Sequence, residues 1–237
     1  MDKIILQAQE LFKDCGFDYA ICGGFALDMF AGKQIREHGD FDMCFFKNDR
    51  IKTMQFLKDR DWPIFGRFWL QNRPITQYLF YKVEDINDPE WDKPDFWAVK
   101  PGGWAEMFPI ERAGNDVYSY YMHEPRLSSF VFIELAFNDR EGDDYILLDN
   151  PKITLPMSRA ILYAEGIPYL APEIILFFKT DEFSATHPYL KPKMETDFRV
   201  IMPLLSSEQK DWLFNAIKTA HGVETPWLDG LKLEDYR

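Results

Sequence analysis

The chain has 237 residues, enough for one large domain or a core with an appendage, and needs neither disulfides nor a structural metal to build its core. Hydrophobic residues make up 46% and charged residues 28%, which excludes a disordered chain. Acidic residues outnumber basic ones 39 to 27, so the net charge of −12 argues against general nucleic-acid binding and favours cationic partners.

The cysteine content and the apolar segments predict a cytoplasmic protein. No apolar stretch approaches the length of a membrane span, and the N-terminal residues do not resemble a secretory signal. Three cysteines are too few for a disulfide framework, and no two have zinc-site spacing. We therefore expect reduced thiols, with Cys22 and Cys44 acting as small apolar residues on buried strands.

The first part of the chain alternates between helical and strand patterns. Apolar residues at helical spacing, apolar runs and glycine stops define the elements. The sequence predicts a helix over 3–15, a strand over 17–22, the glycine pair 23–24 and a helix over 25–31. A polar loop over 33–39, a strand over 41–46 and a helix from 49 onward follow.

Residues 62–128 have a different composition, because five of the seven tryptophans lie there. Alternation over 75–84 predicts a strand, and 85–94 reads as an acidic loop. We interpret 62–128 as strands and long loops inserted into an α/β core. Further strands are expected over 129–137 and 145–148, with a polar turn over 138–143 between them.

The C-terminal part is predicted to be helical. Pro172 suits the first turn of a helix that runs through Lys179, a second helix is expected over 195–205, and Ser206 or Ser207 caps a third. The chain therefore predicts an α/β (α+β) fold with a mixed sheet flanked by helices. We expect a core over 1–165, which includes the insert, and a helical C-terminal lobe over 166–237.

One short stretch carries most of the chemical information. Asp40 and Asp42 stand two apart at the start of a strand, so both carboxylates point to the same face and suit Mg²⁺. Gly23-Gly24 lies between a strand and a helix, where backbone N–H groups can hold a phosphate. A phosphate cradle close to a metal-binding pair points to phosphoryl or nucleotidyl transfer, whereas Asp-x-Asp alone would also fit a solvated strand edge.

This stretch resembles the nucleotidyltransferase superfamily, and within it the aminoglycoside and lincosamide adenylyltransferase branch. The branch pattern is Gly-Gly-x-Ala/Gly-x-Asp followed by Gly-Arg/Lys-x-x-Arg-x-His-x-Asp-x-Asp. Similar segments follow at residues 169–179 and 191–198, where Lys191 and Met194 depart from the usual Arg and acid, and at Trp227. The residues that match the first pattern are Gly23, Gly24, Ala26, Asp28, Gly32, Lys33, Arg36, His38, Asp40 and Asp42.

The resemblance implies a nucleotidyltransferase-like fold and Mg²⁺-dependent transfer of a nucleoside monophosphate, AMP from ATP, to a hydroxyl of a small molecule. It also requires a third carboxylate on a neighbouring strand. We assign this role to Glu134, because an acid in an apolar strand needs a metal or a basic partner. An Arg or Lys pairing with Glu134 is the alternative, and Asp139 is the substitute. Asp40, Asp42 and Glu134 are thus the expected catalytic and metal-binding residues.

Four further residues are assigned to the nucleotide. Gly23 and Gly24 would hold phosphate through their backbone, and Arg36 and Lys179 through their charges. The alternatives are an exposed loop Arg and a Lys that extends to solvent. Asp28 is expected to be a structural partner of the loop, and Asp197 to pair with Lys193 on one helix.

The acceptor is not defined by these residues. Acids between 84 and 95 would attract a polycationic acceptor such as an aminoglycoside, although a solvated loop is the simpler interpretation. Aromatic residues of the insert would either stack on a ligand or form core. Nucleotidylation of a tRNA or a protein, and a nucleotide-binding module without turnover, are the alternative functions.

Overall fold

A computed structural model of the chain describes residues 2–68, 79–88, 95–103, 105–109, 117–122, 129–180 and 190–221. The helices in these ranges are α1 Lys3–Phe12, α2 Gly23–Ala31, α3 Arg50–Lys58, α4 Met157–Ala160, α5 Pro172–Phe178, α6 Lys191–Ile201 and α7 Ser207–His221. The strands are β1 Tyr19–Ile21, β2 Asp42–Phe46, β3 Ile64–Phe68, β4 Leu79–Lys82, β5 Asp95–Val99, β6 Ala105–Pro109, β7 Val117–Met122, β8 Phe132–Glu141, β9 Asp144–Ile146, β10 Thr154–Pro156, β11 Ile161–Ala164 and β12 Ile167–Leu170.

The described residues form two compact units. One contains the residues up to Tyr19 together with His38–Asn138, and the other contains Ala20–Glu37 and the residues from Asp139 onward. The mixture of helices with a mixed sheet confirms the α/β fold expected from the sequence. The predicted boundary at residue 165 stays a prediction. None of the described helices is both long enough and apolar enough to span a bilayer.

The first unit contains a mixed sheet with the strand order β2-β8-β5-β3-β4-β7-β6. β2 and β8 are parallel, and the other neighbours are antiparallel. Asp2 caps α1 by accepting a hydrogen bond from Ile4 N at 2.7 Å, and the helix buries an apolar face that ends at Phe12. The Phe12 ring packs on Phe45 of β2 and on Phe56 of α3, so both helices are tied to the sheet.

The insert adds strands and its own aromatic core to this sheet. Trp97 lies between Phe80 and Phe132, with ring centroids 4.4 Å and 4.7 Å away. Trp62 and Trp97 are buried, so both serve as core. The tryptophans at 69, 91 and 104 lie outside the described residues.

The second unit combines short strands with most of the C-terminal helices. β1 pairs in parallel with β12, and β12 pairs in antiparallel fashion with β11. α2 packs against α5 and α6, and α5 packs against α7. Pro172 stands in the first turn of α5 as predicted. Ser206 and Gln209 exchange side chain–backbone hydrogen bonds at the start of α7, which confirms the predicted cap.

Two local predictions are corrected. The polar segment 138–143 was expected to be a turn, but β8 continues through Glu141 and the turn is confined to Gly142, with φ of +58°, and Asp143. The hairpin of β11 and β12 was not predicted. Each strand has only four residues, and neither alternates apolar with polar side chains, which is the pattern that marks a half-buried strand.

Candidate active site

The three predicted catalytic carboxylates, Asp40, Asp42 and Glu134, all lie in the first unit. β2 and β8 are parallel and in register, so that Asp42 lies directly beside Glu134, and Glu134 N donates a hydrogen bond to Phe41 O at 2.9 Å. Side chains at paired positions of neighbouring strands share a face of the sheet. Asp40 precedes β2, and its negative charge acts on Glu134. The structure therefore places Asp42 and Glu134 side by side on the sheet, with Asp40 in the segment that leads into β2.

Glu134 has the most perturbed acidity of the group. Burial raises the pKa of Glu134 to about 7, and the charges of Asp40 and Asp95 act in the same direction, whereas Arg67 opposes them. The raised pKa brings Glu134 closer to neutral pH, where a group that accepts or donates a proton in a reaction is most effective.

Arg67 is a site residue that the sequence reasoning missed. Its Nη1 lies 3.1 Å from Glu134 Oε1, and its Nη2 lies 3.0 Å from Asp95 Oδ2. Glu134 therefore has the basic partner that the sequence analysis gave as the alternative to a metal ion, and it also lies beside Asp42. The sequence does contain an indication of this role, because Arg67 is the single charged residue of strand β3. Glu134 was identified on the same ground, as the lone acid in the apolar part of β8.

The donor chemistry of this cluster suits a divalent cation. Carboxylate oxygens are the ligands that Mg²⁺ prefers, and a cation would offset the negative charge of Asp40, which adds to the effect of burial on the pKa of Glu134. Within the part of the chain that the structure describes, no three His, Cys, Asp or Glu side chains are arranged so that they could hold a metal ion. The assignment of Asp40, Asp42 and Glu134 as metal ligands therefore stays a prediction.

The other predicted carboxylates contribute less. Asp139, the substitute for Glu134, lies on the part of β8 that pairs with β9 in the second unit, opposite Ile146. In the acidic segment Glu84 pairs with Lys82 at 2.6 Å, and Asp95 pairs with Arg67. Residues 89–94 lie outside the described residues, so the role of the segment in attracting an acceptor stays a prediction.

The glycine pair lies at the start of α2 in the second unit. β1 ends at Ile21, and Gly23 has φ of +61°, a left-handed conformation that residues with a Cβ rarely adopt. Gly24 is buried within the first turn, and the side chain of Cys22 makes no capping hydrogen bond. Backbone N–H groups at the start of a helix suit an anion, and the assignment of Gly23 and Gly24 to phosphate stays a prediction.

Replacing Gly23 by Ala is expected to destabilise the protein. A Cβ in the left-handed region costs about 1–2 kcal/mol, so Gly23→Ala should lower the Tm by several degrees in a thermal melt. Gly39→Ala is the matched control, because its φ is ordinary and nothing lies within 4 Å of an added Cβ. Equal melting of the two variants would contradict a conformational requirement at Gly23.

Both predicted phosphate-binding cations lie in the second unit and share one acid. Asp197 Oδ1 accepts from Arg36 Nε at 2.8 Å, and Asp197 Oδ2 accepts from Arg36 Nη2 at 3.1 Å and pairs with Lys179 Nζ at 2.9 Å. Neither alternative, an exposed loop Arg or a Lys that extends to solvent, describes this arrangement, because both side chains are mostly buried. The expected pairing of Asp197 with Lys193 is wrong, because the carboxylate points to Arg36 and Lys179 instead.

Asp197 is ionised despite its burial. Burial acts to raise the pKa of Asp197, but the hydrogen bond from Arg36 and the charge of Lys179 lower it below the usual value. Asp28 supports the same region, since its Oδ1 accepts a hydrogen bond from Ile35 N at 2.9 Å. This confirms Asp28 as a structural partner of the loop.

Comparison with known proteins supports the class that the motif indicated. Residues 4–64 match the family model of aminoglycoside-2''-adenylyltransferases. A lincosamide resistance protein of Staphylococcus haemolyticus is 30% identical over 86 residues, which is 36% of this chain. The chain spans about half the length of that relative, 53%. These matches confirm the resemblance to the aminoglycoside and lincosamide branch.

Solved structures extend the likeness to most of the chain. The solution structure of the antibiotic-resistance factor ANT(2'')-Ia is 13% identical, with a TM-score of 0.50, and the match covers 92% of this chain and 91% of that chain. The crystal structure of ANT(2'')-Ia in complex with adenylyl-2''-tobramycin is 11% identical, with a TM-score of 0.50 and coverage of 92% and 97%. At these identities the likeness concerns the fold alone.

Proposed function

We propose that the chain is a nucleotidyltransferase that moves a nucleoside monophosphate, AMP from ATP, to a hydroxyl group of a small molecule. The observation that carries this proposal is the side-by-side position of Asp42 and Glu134, with Asp40 close enough to perturb Glu134. Grouped carboxylates suit a reaction that needs a cation on phosphate oxygens and a proton acceptor at a hydroxyl. The match to adenylyltransferases over residues 4–64 favours the same chemistry.

The reaction assigns one proton to Glu134. The acceptor oxygen forms a bond to the α-phosphorus of ATP, the bond from that phosphorus to the bridging oxygen breaks, and pyrophosphate leaves. Glu134, in its ionised form, takes the proton of the attacking hydroxyl. Arg67 opposes the rise in the pKa of Glu134 and so favours the ionised form that accepts the proton.

Asp40, Asp42 and Glu134 are the residues that would hold Mg²⁺. When bound, the ion would polarise the phosphate and offset the charge that develops on the leaving group. Gly23 and Gly24 are assigned to phosphate through their backbone, and Arg36 and Lys179 through their side chains. The side chains of Arg36 and Lys179 are already oriented by their ion pairs with Asp197.

The proposed acceptor is an antibiotic-like molecule that carries a hydroxyl. The matched family acts, by its name, on the 2'' position of aminoglycosides, and the matched relative is a lincosamide resistance protein. A net charge of −12 favours a cationic acceptor of the aminoglycoside kind over an anionic one. A tRNA acceptor is disfavoured by the same charge.

An acceptor screen tests the proposal. The protein is incubated with Mg²⁺ and ATP labelled at the α-phosphate, and with aminoglycosides, lincosamides, tRNA or no acceptor. We expect label in a small-molecule product, with release of pyrophosphate, for at least one antibiotic. Label in tRNA or in the protein itself would redirect the assignment to those acceptors, and ATP binding without any labelled product would reject catalysis.

A further inference from the structure

Arg36, Lys179 and Asp197 form a buried ionic group in the second unit. The Asp197 side chain has no exposed surface, whereas Arg36 and Lys179 keep 15% and 13% of theirs. Arg36 binds the carboxylate through two nitrogens, so its guanidinium plane is fixed as well as its position. Both cations therefore reach the surface of the unit from a common anchor.

Three separate segments supply this group. Arg36 lies in the loop after α2, where Ile35 N is held by Asp28 and Arg36 Nη1 donates to Glu37 O at 3.0 Å. Lys179 directly follows the last residue of α5, and Asp197 lies within α6. No one of these segments determines where the two cations lie, so the shared carboxylate sets their spacing.

The two cations of the group are suited to an anion. Arg36 and Lys179 carry two positive charges, and their ion pairs with Asp197 fix the conformations of both side chains. Long basic side chains lose considerable rotamer freedom when they bind a ligand. Holding them beforehand removes that loss from the binding step.

We propose that Asp197 is a positioning residue that presents Arg36 and Lys179 as one preorganised pair to the phosphate chain of the nucleotide. This inference rests on the proposed function, because it takes the ligand of the pair to be a nucleoside triphosphate. Asp197 itself does not contact the nucleotide and acts through the two cations.

Asp197→Asn separates positioning from simple charge. The substitution removes a negative charge, so a purely electrostatic role predicts tighter binding of phosphate. A positioning role predicts weaker binding, by about tenfold, because two long side chains must then be ordered by the ligand. The dissociation constants of ATP with excess Mg²⁺ and of inorganic pyrophosphate are measured by calorimetry, and thermal melts report on folding.

Matched variants control for net charge and stability. Asp211→Asn is the control for Asp197→Asn, because it makes the same change at an exposed position of α7. Lys218→Met, also at an exposed position of α7, is the control for Lys179→Met. We expect both controls to bind ATP as the wild type does. Tighter or unchanged ATP binding by folded Asp197→Asn would overturn the proposal, and a lower Tm with unchanged affinity would make the role purely structural.

A second measurement is independent of whether Asp197→Asn folds. Arg36→Gln, Lys179→Met and their combination are compared for ATP affinity. A pair that acts as a unit predicts that the double variant loses little more affinity than either single variant, whereas additive losses in binding free energy would overturn the proposal. Failure of the wild type to bind ATP would instead reject the proposed function, so the two failures are distinguishable.

Discussion

Asp42→Asn is expected to reduce nucleotidyl transfer by about a thousandfold or more while leaving the fold intact. Asp42 is half-buried beside Glu134, and the amide keeps its shape but loses the charge proposed to hold Mg²⁺. A metal ion supplies several kcal/mol of transition-state stabilisation, and each factor of ten in rate corresponds to about 1.4 kcal/mol. Initial rates of labelled product formation over a range of Mg²⁺ concentrations measure the loss.

The control for this variant is an Asp→Asn change outside the cluster. Asp14 is exposed, and its φ of +58° is a conformation that Asn also tolerates, so Asp14→Asn should keep full activity. Titration of ATP with and without Mg²⁺ gives a second measure. Equal ATP affinity under both conditions in the wild type, unchanged in Asp42→Asn, would exclude Asp42 as a metal ligand.

The local part of the candidate site was predictable because it depends on short-range geometry. Asp42 opens the predicted strand β2 and Asp40 lies just before it, and Gly23 follows from a strand-to-helix turn that needs a left-handed residue. Both features lie within one continuous stretch, and the sequence resemblance covers that stretch. Asp28 was predictable for the same reason, since its partner Ile35 lies in the following loop.

The long-range part of the site was less accessible to sequence reasoning. Glu134 was found because a charged residue in an apolar strand requires a partner, but its pairing with Arg67 depends on β5 lying between β8 and β3. Both β3 and β5 belong to the insert, whose strand order the sequence does not indicate. In the same way, the spacing of Lys193 and Asp197 favours an ion pair on one helix. In the structure Asp197 is buried and pairs with Arg36 and Lys179, which lie in other segments of the chain.

Glu134→Gln is expected to lower turnover by at least about a hundredfold, the lower range for the loss of a general base, with a much smaller change in ATP affinity. The amide keeps the shape of the side chain and can still accept a hydrogen bond from Arg67, but it cannot take a proton from the acceptor. Steady-state kinetics that separate kcat from the KM of ATP measure this difference.

The same substitution is expected to stabilise the protein at alkaline pH. Because burial raises the pKa of Glu134 to about 7 from an ordinary value of 4.5, the folded state binds this proton more tightly than the unfolded state. Its contribution to stability is therefore fully present below the unfolded pKa and is lost as the pH rises through about 7. The amide of the variant carries no proton that could be lost, so the Tm of Glu134→Gln should exceed that of the wild type at about pH 8, and the difference should shrink towards about pH 5.

Melts in metal-free buffer give this comparison, with Glu141→Gln as the control on the same strand. Glu141 is exposed, so its substitution should leave both turnover and the pH dependence of the Tm unchanged. A lower Tm for Glu134→Gln at about pH 8, together with retained turnover, would identify Glu134 as a structural partner of Arg67. Higher stability with lost turnover is expected if the charge of Glu134 destabilises the folded protein but serves the reaction. Burial, together with the negative charge of Asp40, raises the pKa of Glu134, and the same raised pKa makes the group a proton acceptor near neutral pH.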